Sequence, residues 1–374
     1  MLLCLLLLVV PVVAVAAPAG SPGVDTVLAP ATNDAPLTAY GGWVVWSELT
    51  PADGWALTAW HGGRKLRLPV ATRSIPFDVD AGPDERGRPV VLYSRCTSDT
   101  TPALPYRSGQ GFEGPAGIPR WSLSSGCTLR RLTLDGGRER TLRPPGAAGA
   151  SDTTPTQWRG QIAFARLRTH RSVMQLMRWS PASGRLTQLP HGSVPRNCPF
   201  RSCAGARYSG EVQQMDLGPR NLAFLWRVDA PGVIGAGAGW ELRAYDLRTR
   251  RRSLFAFGYE SGACGAAHPV SPNAGASVLF DDVTYACDVP HTFLSSGNTQ
   301  TGLAGRIETT PRLAWQLARD GDTIYTIRGP RPPSPATAET LPCLGTAGPC
   351  ALVATRGLRV GPRTRRSHPP TFGS

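Results

Sequence analysis

A glycine- or proline-led apolar run recurs six times along this chain. The copies begin Gly41-Gly-Trp-Val-Val-Trp, Gly87-Arg-Pro-Val-Val-Leu-Tyr, Gly160-Gln-Ile-Ala-Phe-Ala, Pro219-Arg-Asn-Leu-Ala-Phe-Leu-Trp, Gly275-Ala-Ser-Val-Leu-Phe and Gly321-Asp-Thr-Ile-Tyr-Thr-Ile. Alternation at period two puts one side-chain row on each face of a strand. Hairpins follow most runs and turn at His61-Gly-Gly, Asp135-Gly-Gly, Ser180-Pro-Ala-Ser-Gly and Arg248-Thr. Glycine suits such turns because it tolerates positive φ. The fifth hairpin, around His291-Thr-Phe-Leu, is poorly marked, and the sixth is short, ending in Ala351-Leu-Val-Ala-Thr-Arg. One such small sheet cannot bury both faces. Sheets packed radially bury each other and leave only short, protected edges. The spacing is near or above the ~40–50 residues of propeller repeats, and the excess sits in Gly/Pro-rich insertions. The pattern therefore predicts an all-β protein: a β-propeller of antiparallel strands over residues 36–360, with six blades, five or seven being the alternatives. The first strand of each unit is taken to be the Gly-led run. No long stretch has helical periodicity, so very little helix is expected.

Three segments resemble a known repeat. Pro155-Thr-Gln-Trp-Arg-Gly-Gln-Ile-Ala-Phe keeps the Pro, Trp and Gly of the WD40-like/TolB-type propeller family, and Tyr245-Asp-Leu-Arg-Thr-Arg and Leu134-Asp-Gly-Gly match its second half. The Ser-Pro-Asp triplet of that family is mostly absent. The resemblance covers about residues 36–360, extends to the secreted propellers of actinobacteria, and implies a fold and a habit of binding proteins or peptides. It carries no catalytic residue across.

Residues 1–17, MLLCLLLLVVPVVAVAA, are apolar throughout and end in the small-x-small pattern Ala14-Val15-Ala16. They read as a signal peptide cleaved after Ala16 or Ala17, followed by a Pro/Ala-rich linker over 18–35. No basic residue precedes Leu2. An uncleaved anchor is the alternative, but the run is at the short end for spanning a bilayer and Pro11 interrupts it. Cys4 precedes the apolar core, which argues against a lipoprotein. The expected location is the cell envelope or the outside of the cell, with no stable membrane insertion once the signal is removed.

Eight cysteines remain beyond Cys4, an even number that fits disulfides in an exported chain. Their neighbouring positions suggest the pairs Cys96–Cys127, Cys198–Cys203, Cys264–Cys287 and Cys343–Cys350. A metal site is the rival reading at Cys198-Pro-Phe-Arg-Ser-Cys203 beside His191, but no second close Cys/His pair completes a tetrahedron. Neither a metal nor a cofactor is expected.

The formal net charge is +14, with Lys65 the single lysine. Such a balance suits an anionic partner, but it also follows from arginine-rich codon usage. Arginines beside acids, as in Arg138-Glu-Arg140, favour dispersal over the surface. The densest groups are Arg248 to Arg252 and a basic tail, 361–374 with its approach from Arg356.

Catalytic signatures are missing. Neither Gly-x-Ser-x-Gly nor His-Glu-x-x-His occurs. The histidines at 61, 170, 191, 268, 291 and 368 fall mostly in expected turns. Gly232-Val-Ile-Gly-Ala-Gly-Ala-Gly resembles a phosphate loop, but the segment after it alternates like a strand where such a loop needs a helix N-terminus. Asp281-Asp282, with Asp288 and Glu260 near them, and the stretch Asp78, Asp80, Asp84 and Glu85 read as turn chemistry rather than Ca²⁺ ligands. Of ten tryptophans, Trp121 in the Gly/Pro-rich insertion 98–126 is the one expected to expose its ring; the others are assigned to packing. The function read from all this is a monomeric, non-enzymatic binding or scaffold protein with a protein or glycan partner in the envelope and none among nucleic acids. The alternative is an exported glycan-acting hydrolase or lyase working in the channel. Converging carboxylates there would favour the enzyme.

Overall fold

The computed structural model describes residues 23–32, 36–50, 54–99, 119–169, 171, 173–190, 209–229, 238–259, 267–274, 278–286, 289–300, 303–306, 317–328 and 350–357. Their strands form six four-stranded antiparallel sheets. Sheet one holds β2 (Leu37–Tyr40), β3 (Trp43–Thr50), β4 (Gly54–His61) and β5 (Arg64–Arg67). Sheet two holds β6 (Asp80–Pro83), β7 (Pro89–Arg95), β8 (Thr128–Thr133) and β9 (Glu139–Leu142). Sheet three holds β10 (Ala150–Trp158), β11 (Gln161–Arg168), β12 (Gln175–Ser180) and β13 (Arg185–Leu189). Sheet four holds β14 (Ser209–Leu217), β15 (Asn221–Asp229), β16 (Ala238–Asp246) and β17 (Arg252–Tyr259). Sheet five holds β18 (Ala267–Asn273), β19 (Val278–Ala286), β20 (Val289–Asn298) and β21 (Leu303–Arg306). Sheet six joins both ends of the chain: β22 (Leu317–Asp320), β23 (Thr323–Arg328), β24 (Cys350–Arg356) and, outermost, β1 (Val24–Ala31). The only helical turn among the described residues is the 3-10 turn Trp121–Leu123.

The first strand of each sheet touches the first strand of the next, and β22 returns to β2. The apolar cores lie between adjacent sheets, as radial packing requires. Val45, Leu57 and Phe77 pack with Val91 and Tyr93 between sheets one and two. Val90, Leu92 and Leu129 meet Ile162 and Phe164 between two and three. Ala163 and Leu176 meet Val212 and Phe224 between three and four. Gly82 stands where β6 crosses β10: a Cβ there would lie 2.2 Å from the Gln157 carbonyl oxygen. The fold is a β-propeller.

The six Gly-led runs are the second strands, β3, β7, β11, β15, β19 and β23, rather than the first. An inner strand precedes each one. The stretch 18–35 is also corrected: it contains β1, which pairs with β24 from Val24↔Arg356 to Ala31↔Cys350. The fifth hairpin is a full pair, β20 and β21. Asp281 and Asp282 lie inside β19 and not in a turn. His268 and His291 lie in β18 and β20 rather than in turns. The stretches 1–17 and 361–374, His170, His191 and His368, together with Gly232, Glu260 and Asp288, fall outside the described residues.

Strand direction sorts the connections onto two faces. Every sheet runs up and down, so first-to-second and third-to-fourth turns share one face. Second-to-third and sheet-to-sheet connections share the other. The first face has short turns such as 41–42, 62–63 and 159–160. The long connections join strand ends on the second: 68–79, 96–127, 190–208, 230–237, 260–266, 307–316 and 329–349.

Candidate functional site: the central channel

The inner strands carry polar residues because they border the channel as well as the core between sheets. Five of them use an equivalent side chain to accept a backbone N–H from the next sheet. Thr38 Oγ1 accepts from the Ala81 N–H at 2.8 Å. The Gln157 N–H faces the Asp80 carboxyl. Thr156 Oγ1 accepts from the Leu217 N–H at 2.8 Å, Asp216 Oδ2 from the Ala274 N–H, and Asn273 Oδ1 from the Arg319 N–H at 3.0 Å. From Ala81 to Arg319 the residue that donates its N–H directly follows the equivalent position of its own sheet. The sixth equivalent position is Ala318, which has no acceptor to offer. There the Gly42 N–H donates instead to Asp320 Oδ2 at 2.7 Å.

Within this ring lies a cavity of about 60 Å³, bordered by Asp78, Asp80, Asp216, Thr154, Asn273 and Trp121 among others. That is room for a few water molecules at most. Asp80 Oδ1 accepts from the Thr38 hydroxyl at 3.1 Å, while its buried Oδ2 has no hydrogen-bond partner. Burial raises the Asp80 pKa well above the ordinary value, and the charge of Asp216 raises it further. Burial likewise lifts Asp216 to about 7, against the pull of the Ala274 and Leu217 amides. Two buried carboxyls in one cavity cannot both ionise cheaply, so the pair keeps a proton near neutrality. Asp78 is bound more tightly. It accepts from the Ser94 N–H at 2.8 Å and the Thr154 N–H at 2.6 Å, and Arg73 Nη1 stands 3.6 Å away. Desolvation still outweighs these and raises its pKa. Thr154 holds φ 46°, a left-handed conformation unusual for a β-branched residue. It sits where the β10–β11 register shifts.

Trp121 closes one mouth of the channel, which corrects the expectation that its ring is exposed. It is 1% exposed. Its Nε1 donates to the Gln213 carbonyl at 3.0 Å, and the Arg73 guanidinium lies 5.6 Å from its ring centre. Arg120 and Ser122 on either side both bind Glu211 of β14. The Gln213 side chain joins the same network, donating to Glu211 and accepting from Trp240 Nε1. The insertion from sheet two thus docks on the inner strand of sheet four. Sequence reasoning missed Glu211, Gln213, Asp216 and Asn273, because nothing in a short polar strand sets them apart until the ring brings them together. Asp80 stands out in the sequence, but as turn chemistry; it is a buried strand residue.

Cys96 and Cys127 form a disulfide at the base of this insertion. Cys350 is also disulfide-bonded, and its partner lies outside the described residues. Cys198, Cys203, Cys264, Cys287 and Cys343 lie outside them too. Replacing both Cys96 and Cys127 with alanine is expected to cost about 2–4 kcal/mol, read as a lower urea midpoint without reductant. An unchanged midpoint would mean that the bond restrains nothing the unfolded chain loses. Among the described residues no group of three or more His, Cys, Asp or Glu is placed to hold a metal ion.

No family model and no curated protein matches the chain. Solved structures do. TolB from Acinetobacter baumannii matches at 9% identity and TM-score 0.39, covering 84% of this chain and 63% of that one. Oligogalacturonate lyase from Vibrio parahaemolyticus matches at 8% identity and TM-score 0.40, covering 91% and 96%. A polysaccharide lyase, ulvan lyase, matches at 10% identity and TM-score 0.42, covering 82% and 80%. The chain spans somewhat less than two thirds of the TolB structures it matches. TolB-type propellers are thus among its structural neighbours, and at these identities the likeness concerns the fold alone.

Proposed function

We propose that the chain is one six-bladed ring that acts outside the cytoplasm as a non-catalytic binding protein, presenting the insertion-bearing face to a protein or glycan partner. The observation that carries this reading is the state of the channel carboxylates. Asp78 and Asp80 are buried and Asp216 is half-buried; Asp78 and Asp216 tie neighbouring sheets together through backbone amides, and Trp121 borders the same cavity. A cavity of about 60 Å³ leaves no room for a sugar ring beside them, since ligand pockets run to several hundred Å³. Loops on a rigid scaffold are where binding proteins place their contacts. The long connections all gather on one face, and the disulfide Cys96–Cys127 fits an oxidising compartment. One observation favours the enzyme: a carboxyl that keeps its proton near pH 7 is a suitable general acid.

The test is capture of partners from an envelope extract by the wild type and by Asp80→Asn/Asp216→Asn. Equal capture is expected, because the amides keep the size and the acceptor oxygen of the acids. Turnover of a polysaccharide by the wild type that the double variant abolishes would overturn the reading.

A further inference from the structure

Arginines collect on the face opposite the insertions. Its short turns project Arg86 and Arg138 from sheet two, Arg159 and Arg185 from sheet three, and Arg248 and Arg250 from sheet four, all exposed. None of these six pairs with an acid among the described residues. Of the acids near them in sequence, Asp84 is engaged with Arg88, Glu85 with Arg131 and Asp246 with Arg220, while Asp135, in the same turn as Arg138, is exposed. On the other face arginines pair with acids, Arg73 with Asp99, Arg120 with Glu211 and Arg166 with Asp152. Part of the arginine is thus paired with acids, as the sequence suggests, while these six gather at the short turns of three successive sheets. Neighbours in sequence such as Arg138 and Glu139 point to opposite sides of the chain where β9 begins, and Glu139 is taken up by the Tyr93 hydroxyl.

Two further features lie on this face. Along the turns of sheet two lies a groove of about 530 Å³ lined by Arg88, Arg131, Arg138 and Arg140, with Glu139 among them. Arg131 and Arg140 stand directly opposite each other in the β8–β9 register, and Glu85 pairs with Arg131. At the channel mouth, Tyr40 ends β2 and Trp158 ends β10. Their rings meet edge to face at 5.9 Å, and both are half-buried.

We infer that the short-turn face is a binding surface for an acidic polysaccharide. The arginines would take carboxylate or sulfate groups through paired N–H donors, and the Tyr40–Trp158 pair would offer an aromatic surface to a sugar ring. A membrane fits less well, since none of these turns exposes a large hydrophobic side chain and surface-bound proteins insert such groups. Single-stranded nucleic acid fits less well too, because it is held by successive aromatic platforms and this face has one pair. This surface lies apart from the insertion face, so either assignment can fail without the other.

The experiment uses polygalacturonate, neutral dextran and duplex DNA as probes, with wild type and two variants of equal charge. The face variant is Arg138→Gln/Arg185→Gln/Arg248→Gln. The control is Arg143→Gln/Arg168→Gln/Arg171→Gln, exposed on the opposite side. All six positions are exposed, and matching Tm values for the three proteins establish that they fold alike. The wild type is expected to bind polygalacturonate with an affinity that falls steeply as salt rises, as polyanion binding does, and to ignore dextran. The face variant is expected to bind at least tenfold more weakly, and the control within twofold of wild type. Equal losses in both variants would show net charge alone at work and overturn the proposal. Tighter binding of duplex DNA than of polygalacturonate through the same arginines would overturn the polysaccharide assignment.

Discussion

Asp216→Asn is expected to stabilise the protein at pH 8 by roughly 2–4 kcal/mol and to change little at pH 4. Burial raises the folded-state pKa of Asp216 to about 7, whereas the unfolded chain releases the same proton near pH 4. The folded state therefore binds more protons between these values. Stability is fully present below about pH 4 and falls as the pH rises through 7. An asparagine does not titrate, so its variant should lose most of that slope. Its amide oxygen can still accept from the Ala274 N–H, as Asn273 does from Arg319 at the equivalent position of the next strand. Removing the charge also relieves Asp80, whose pKa the Asp216 charge pushes up. Urea unfolding from pH 4 to 9 measures this directly. The same slope in wild type and variant would mean that the pair is hydrated in solution.

Trp121→Ala is expected to cost roughly 3–5 kcal/mol. The ring is buried against Val212 and Met215, so its loss leaves a cavity. It also leaves the Gln213 carbonyl without its donor and takes the aromatic face from Arg73. A second effect separates this role from ordinary packing. With the channel mouth open, water reaches Asp80 and Asp216, and their pKa values should fall back toward that of a free carboxylate. The variant should therefore be less stable than wild type and also less sensitive to pH between 4 and 7. Trp121→Phe keeps most of the packing and should lose only about 1–2 kcal/mol with the hydrogen bond. A destabilised alanine variant with the full wild-type pH slope would rule out Trp121 as the closure of the channel.

Much of the architecture is readable because each second strand lies between two neighbouring sheets. Val90, Val91, Leu92 and Tyr93 are all fully buried, so sheet two announces itself as an apolar run behind a glycine turn. The third and fourth strands show in the same way at Trp240–Asp246 and Arg252–Phe257. The inner strands give no such signal. Leu37-Thr-Ala-Tyr40 and Asp80-Ala-Gly-Pro83 border a polar channel and pack edge-on to their neighbours, so no alternation marks them, and the repeat reads one strand late. β1 reads as linker for a related reason. It is an outer edge strand with Val24 and Val27 exposed, and its partner β24 lies at the far end of the chain.

The candidate site is legible only in fragments. Asp80 stands out within an acidic stretch and Trp121 within an insertion, but each suggests the wrong surroundings, because burial is decided by residues from other sheets. The disulfide Cys96–Cys127 is within reach of the sequence, since its two cysteines flank one insertion. Sequence alone determined the all-β class, the repeating unit and the excess of arginine, because local periodicity and composition fix these. Only the closed ring decided that Asp80 meets Asp216, that Trp121 lies over them, and that arginines from three successive sheets share one face. Those juxtapositions join residues tens to hundreds of positions apart, and nothing local to any of them encodes where the others come to rest.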